Sequence, residues 1–189
     1  LLEMDHDDTL TPDCLQTVVN AFKAYPDAIF AYSDWAEIQG KTQDIDIFPP
    51  KFTIKTEYNN YGDNWGIGQG CSYKQYLTNS PNGTSWVTVL SSGNIVSESL
   101  THIVGNPNHL RAWTKKGYWK ARGHDPQLTR CDDYDLILRT FLKGRFIRIP
   151  KLLYNQYINP NSATNTKIDR DGKSTGNYRN VIQKLVPLV

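Results

Sequence analysis

The stretch Leu1-Leu2-Glu3-Met4-Asp5-His6-Asp7-Asp8, running on into Thr9-Leu10-Thr11-Pro12-Asp13, decides how the chain is read. A short apolar start gives way at once to three carboxylates, and a helix-start signal follows. Leu1 to Met4 reads as a short strand. Thr11 reads as an N-cap with Pro12 at the first helical position, where its missing N–H is not needed. Leu15, Val18, Val19 and Phe22 recur at i, i+3, i+4 and i+7, the stripe of a helix that buries one face. Pro26-Asp27 ends that helix, and Ala28 to Tyr32 reads as the next strand. Strand, acidic loop, helix and strand make a βαβ unit. Open sheets of this type bind ligands beyond the carboxyl ends of their strands, which is where the acidic residues fall.

Three carboxylates so close repel one another, so Asp5, Asp7 and Asp8 call for a cation. An oxygen-only ligand set favours Mg²⁺ or Mn²⁺ over zinc, and such ions commonly bind through one or two carboxylates plus substrate phosphates. Strand alternation would point His6 away from an Asp5/Asp7 face. The competing structural reading is a solvated acidic turn, with Asp8 helping to start the helix. The two balance on the motif alone. Position between an apolar strand and a capped helix favours the site.

Farther along, Lys115 to Ala121 reads as a short helix closed by Gly123, and Asp132 to Lys143 as a longer one closed by Gly144. Arg145 to Ile149 and Leu152 to Ile158 read as strands broken at Pro150, and Trp86 to Leu90 as another. Tyr178, Val181, Ile182 and Leu185 mark a terminal helix. From Gln39 to Gly93 turn residues dominate, and Gly66, Gly68 and Gly70 do not make a GxGxxG phosphate loop. The reading is α/β, one domain over residues 1–189, with 159–176 a flexible segment.

Asp132-Asp133 opens the second helix. Acidic residues favour helix starts, and Asp135 with Arg139 forms an i, i+4 pair worth roughly 0.3 kcal/mol when exposed. Two adjacent carboxylates exceed what a helix start needs, so Asp132 or Asp133 is a candidate general base. His109 and Arg111 lie in a turn-to-strand segment that could face a diphosphate; a surface His with a structural Arg fits equally well. His102 and His124 could complete a metal site, although isolated histidines more often serve packing or solvent; Trp65, Trp86, Trp113 and Trp119 are read as core or acceptor platforms.

Composition narrows the classes. The formal net charge of +2 argues against a nucleic-acid or anionic-membrane partner. No apolar run approaches a bilayer span. Leu1-Leu2 meets Glu3 at once, unlike a secretion leader. Cys14, Cys71 and Cys131 fit neither a zinc pattern nor a disulfide framework, so a reducing, cytoplasmic setting is expected, with peripheral membrane contact allowed. Aromatic residues make up 12% of the chain, which suits a sugar site and a core alike.

Taken in order, these segments resemble the family 2 glycosyltransferases of the GT-A fold. Asp5-His6-Asp7-Asp8 with Thr11-Pro12-Asp13 looks like that family's Asp-x-Asp-Asp strand end and following helix. Cys131-Asp132-Asp133-Tyr134-Asp135-Leu136 with Arg139 looks like its Glu-Asp motif. Pro107-Asn108-His109-Leu110-Arg111-Ala112 and Gly123-His124-Asp125 resemble the stretch before it. The likeness covers Leu1 to about Asn161, with a poor fit from Gln39 to Gly93, where acceptor choice is placed. It implies a GT-A-like open mixed sheet flanked by helices, as the C-terminal portion of the full fold; for the nucleotide half three readings stay open, a fragment of a longer chain, another chain or segment completing it, or a degenerate protein.

The resemblance also assigns roles. Asp7 and Asp5 would hold Mn²⁺ or Mg²⁺, while Asp5, Asp8, His109 and Arg111 would meet the donor. Asp133 would be the catalytic base, with Asp132 standing where Glu is usual. The activity implied is inverting sugar transfer from a nucleotide-diphosphate sugar, a UDP-sugar first, to a saccharide or glycan acceptor hydroxyl. Tyr154-Asn155-Gln156-Tyr157 replaces the His or Arg that often follows the last strand, and no Gln-x-x-Arg-Trp motif of processive synthases is present. Two other classes compete: a non-catalytic sugar- or partner-binding remnant of the fold, and a metal-dependent phosphotransfer or nuclease enzyme.

Overall fold

A computed structural model describes residues 1–39, 52–53, 58–60, 71–80, 83–90, 93–102, 106–128, 131–158, 181 and 183–189. In chain order the elements are β1 (Leu2–Glu3), β2 (Thr9–Leu10), α1 (Cys14–Ala24), β3 (Ala28–Gln39), β4 (Phe52–Thr53), β5 (Tyr58–Asn60), β6 (Cys71–Ser80) and β7 (Gly83–Leu90). They continue with α2 (Ser97–His102), β8 (Arg111–Trp113), α3 (Lys115–Lys120), α4 (Asp132–Phe141), β9 (Arg145–Ile158) and a 3-10 turn at Val186–Leu188.

Strand β3 organises the molecule. Along one edge it runs parallel to β9 from Ala28 to Gln39. Its other edge is shared between two antiparallel partners, β8 over Phe30–Tyr32 and β7 over Trp35–Glu37. Beyond β8 lies β1, and beyond β7 come β6 and then β4 and β5. Strand β2 joins the far end of β9. The result is a mixed α/β architecture: a strongly curled mixed sheet, a half-barrel, with a few short helices.

Alternation along β3, with a register shift between Ala28 and Phe30, explains how both faces are covered. Phe30 and Tyr32 pack with Trp113, Ala121 and Leu136 on the side of α3 and α4. Ala28 and Ala31 pack with Cys14 and Val18 of α1 and with Ile147, Ile149 and Leu153 of β9 on the other. Rings carry much of the first face, with Phe30 centred 4.3 Å from Phe146 and 4.8 Å from Trp113. Val181 and Leu185 are buried against Tyr134, Ile137 and Leu138. Tyr178 and the segment 159–176 lie outside the described residues, as does most of Gln39 to Gly93.

Several elements differ from expectation for physical reasons. Strands β1 and β3 do not pair, because β8 lies between them, antiparallel to both; the expected βαβ unit is split by a strand from far downstream. Helix α1 begins at Cys14, two residues late: the Thr11 hydroxyl donates to Asp13 Oδ1 at 2.9 Å instead of capping. Its inward face is Cys14, Val18, Ala21 and Phe22, while Leu15 and Val19 are exposed. Pro150 does not break β9. Ile149 stands opposite Ser33 and Leu152 opposite Asp34, so Pro150-Lys151 bulges from a continuous strand, where a residue without an N–H is tolerated.

The Asp135–Arg139 pair is also not the exposed pair expected. Asp135 is buried, and the Arg139 guanidinium donates to it and to the carbonyls of Ala121 and Gly123 at the end of α3. Gly123, at φ 62°, closes α3 by donating its N–H to the Tyr118 carbonyl. The ion pair thus ties α4 to α3. Arg139→Met should cost about 3 kcal/mol, because it strands a buried carboxylate, against the roughly 0.3 kcal/mol of an exposed helical pair. Urea denaturation of the two proteins separates these values.

Candidate metal and acid–base site

The acidic segment is a turn. Strand β1 ends at Glu3, and the Asp8 N–H then donates to the Asp5 carbonyl at 3.3 Å. Alternation would put Asp5 and Asp7 on one face, whereas a turn brings its first and fourth residues together. The structure therefore gathers Asp5 and Asp8, and the alternation argument for His6 does not apply.

Asp8 is buried and anchored twice by β9. Its Oδ2 accepts from the Tyr154 hydroxyl at 2.7 Å and its Oδ1 from the Tyr157 N–H at 2.8 Å. The Asp5 N–H donates to the same Tyr154 oxygen at 3.1 Å. Burial holds the Asp8 carboxyl above its usual range against these hydrogen bonds, and the neighbouring Asp5 and Asp7 add to the rise. Pairing of β2 with β9, Leu10 opposite Tyr154 and Thr9 opposite Asn155, keeps the turn in place.

His109 comes in from the segment before β8 and stacks flat on Tyr154, with ring centres 4.2 Å apart. It is only 9% exposed, and burial, aided by the nearby Arg111 charge, pushes the imidazole down to about 3. At neutral pH it carries no charge. Ligand atoms of Asp5, Asp8 and His109 all lie within 4.8 Å of one another. Asp7 stands outside this group, beside His6 at 3.9 Å, with its side chain about a third exposed.

Arg111 links this corner to the second acidic segment. Register places it opposite Glu3. Its Nη1 donates to Glu3 Oε1 at 3.1 Å and to Asp133 Oδ2 at 2.8 Å, and its Nε to the Pro107 carbonyl at 2.8 Å. The guanidinium is buried, so it is a tie between strands and helix, not a surface contact. Asp133 would be raised by its burial, but the Arg111 charge and hydrogen bond, with the Tyr134 N–H, hold it below the ordinary carboxylate range. For Glu3 the balance reverses: burial lifts it more than Arg111 lowers it. Asp132 is half-buried beside Asp133 in the first turn of α4, whose N-cap is Cys131.

No protein-family model matches this chain, and no curated protein matches it.

Two carboxylates and one neutral imidazole, two of the three residues buried, make a donor set that fits a divalent cation. The turn, His109, Arg111 and Asp133 form one connected corner. His124 is not in the metal group; its Nδ1 lies 3.0 Å from the Tyr118 hydroxyl. The side chain of His102 lies outside the described residues. Glu3, Tyr154 and the Tyr157 N–H went unassigned in the sequence. Glu3 had a signal, a charge inside an apolar strand; the other two depend on a pairing that sequence spacing does not show. Among the described residues no helix is long and apolar enough to cross a membrane.

Tyr154→Phe keeps the ring under His109 and deletes the hydroxyl that holds Asp8 and the Asp5 N–H. It should lose about 1.5–3 kcal/mol of stability, the usual worth of a hydrogen bond to a charged group. Unchanged chemical denaturation would mean that the hydroxyl does not anchor the turn.

Proposed function

We propose that this chain carries out metal-dependent, inverting transfer of a sugar from a nucleotide-diphosphate sugar, UDP-linked first, to a saccharide hydroxyl, on a GT-A-like sheet. The observation that carries this reading is the Arg111 bridge: Glu3, at the end of the strand that leads into Asp5-His6-Asp7-Asp8, and Asp133 of the second acidic segment accept from one guanidinium. The order of β1, β8 and β3, with Asp133 at the start of a helix behind them, supports it further.

The geometry supports the following residue roles. Asp5 and Asp8, with His109, would hold Mn²⁺ or Mg²⁺, with Asp7 at the rim. When bound, the cation neutralises charge on the departing diphosphate. Asp133 is ionised and fixed in direction, so it can accept the proton of an acceptor hydroxyl. Arg111 keeps that carboxylate charged. Asp132, beside it and outside the bridge, is the second candidate.

A second reading has its own observation. A carboxylate paired to a buried arginine is a weak base, which suits a non-catalytic, sugar-binding version of the fold. For the phosphotransfer class a second metal group would be expected, and none occurs among the described residues.

Thermal unfolding with UDP should rise only when Mn²⁺ is also present, and Asp5→Asn should remove the rise. Asp133→Asn should retain that rise and lower donor turnover about 10²–10⁴-fold, the usual worth of a general base. Donor binding without turnover in the unaltered protein would favour the binding reading; Asp133→Asn with full turnover would move the base to Asp132. The pH–rate profile carries a sign as well. Removing the Arg111 charge raises the Asp133 carboxyl, so Arg111→Met should shift the acidic limb to higher pH.

A further inference from the structure

We propose that His109 is a metal ligand, and that the Asp5, Asp8 and His109 set selects a divalent transition ion, Mn²⁺ among them, over Mg²⁺. The proposal rests on the cation-binding part of the reading above and not on sugar transfer. Spacing in the sequence pointed to a set of carboxylates only, which suits Mg²⁺ and Mn²⁺ alike. An imidazole nitrogen changes that choice. Mg²⁺ is a hard ion that keeps its waters and prefers oxygen, whereas affinity for nitrogen donors rises from Mn²⁺ along the first row.

Three features of His109 point to a ligand. It is buried, so its ring is held among fixed neighbours and does not swing in solvent. The Tyr154 stack fixes the plane of its ring and so the direction of its nitrogens. A ring nitrogen lies within 4.8 Å of oxygens from both Asp5 and Asp8, a span one ion can bridge.

The rest of the corner is arranged accordingly. Tyr154 serves all three donors: it stacks on His109, bonds Asp8 Oδ2 and receives the Asp5 N–H. Outer-shell groups of this kind orient ligands at metal centres. Each oxygen of Asp8 accepts one hydrogen bond and keeps a lone pair for an ion. Two carboxylates and a neutral ring match the two positive charges of the cation.

The test uses the full chain, stripped of metal by a chelator, with Mn²⁺ or Mg²⁺ alone. Electron paramagnetic resonance of added Mn²⁺ should show the free-ion signal falling as it binds, and pulsed measurements should show coupling to one ¹⁴N nucleus. Mg²⁺ should compete about tenfold or more less well. His109→Asn should weaken Mn²⁺ binding by about tenfold or more, with a smaller effect on Mg²⁺. The ¹⁴N signature needs no variant, so a misfolded His109→Asn protein leaves the test intact. Mn²⁺ bound with no nitrogen coupling, equal affinity for Mg²⁺, or no binding of either ion would overturn the proposal. Oxygen-only Mn²⁺ that still supports UDP binding would remove His109 and leave the transfer reading standing. Nitrogen-coupled Mn²⁺ with no UDP response would do the reverse.

Discussion

A guanidinium shut away from water must find acceptors, and the corner of the molecule that matters is built around that need. Arg111 sits on β8, which is held between β1 and β3, so its backbone has no freedom to follow its partners. The partners come to it instead: Glu3 from the paired strand, the Pro107 carbonyl from the segment carrying His109, and Asp133 from the start of α4. An isolated buried charge costs several kcal/mol, and each of these contacts reduces that cost. Three segments distant in sequence are thereby registered on one side chain.

Acidic groups gather in two places here: Glu3 and Asp133 both accept from the Arg111 guanidinium, and Asp5 and Asp8 stand together beside His109. The raised carboxyls of Glu3 and Asp8 are the electrostatic consequence, since burial and like charge both disfavour their ionised forms. Two routes relieve such a corner: protonation or a cation. The imidazole at its edge is neutral and adds a donor without adding charge.

How much of this was legible depended on how local each feature is. Helix α3 was readable almost to the residue, because Thr114 bonds the Gly117 N–H at one end and Gly123 supplies the left-handed turn at the other. Strand β3 was readable at its start, where an apolar run follows Pro26-Asp27, and not at its end, which is set by β9 and β7. The Asp5/Asp8 pairing was hidden for the same reason. Strand β1 is two residues long because β8 offers partners only to Leu2 and Glu3; the chain is then free to turn, and the i, i+2 face implied by the motif is lost. His109 looked equally like a surface residue because its burial comes from Tyr154, 45 positions along the chain by their residue numbers. The fold class and the participating segments are written locally, whereas the identity of the facing atoms is written in strand pairing.

Bulges in β9 show how strand pairing reaches the chemistry. Ile149 lies opposite Ser33, so an unbroken ladder would set Lys151 opposite Trp35; the register shifts put Tyr154 there instead. Because side chains alternate, such shifts decide which face a residue serves. Here they bring an aromatic hydroxyl to Asp8, and they leave Lys151 at the surface, where it pairs with Asp13. A lysine in place of that tyrosine would have brought an ammonium group to these carboxylates, an ion pair where the structure has a neutral hydroxyl. The proline that looked like the end of a strand is thus part of the bulge that decides which side chain of β9 meets Asp8.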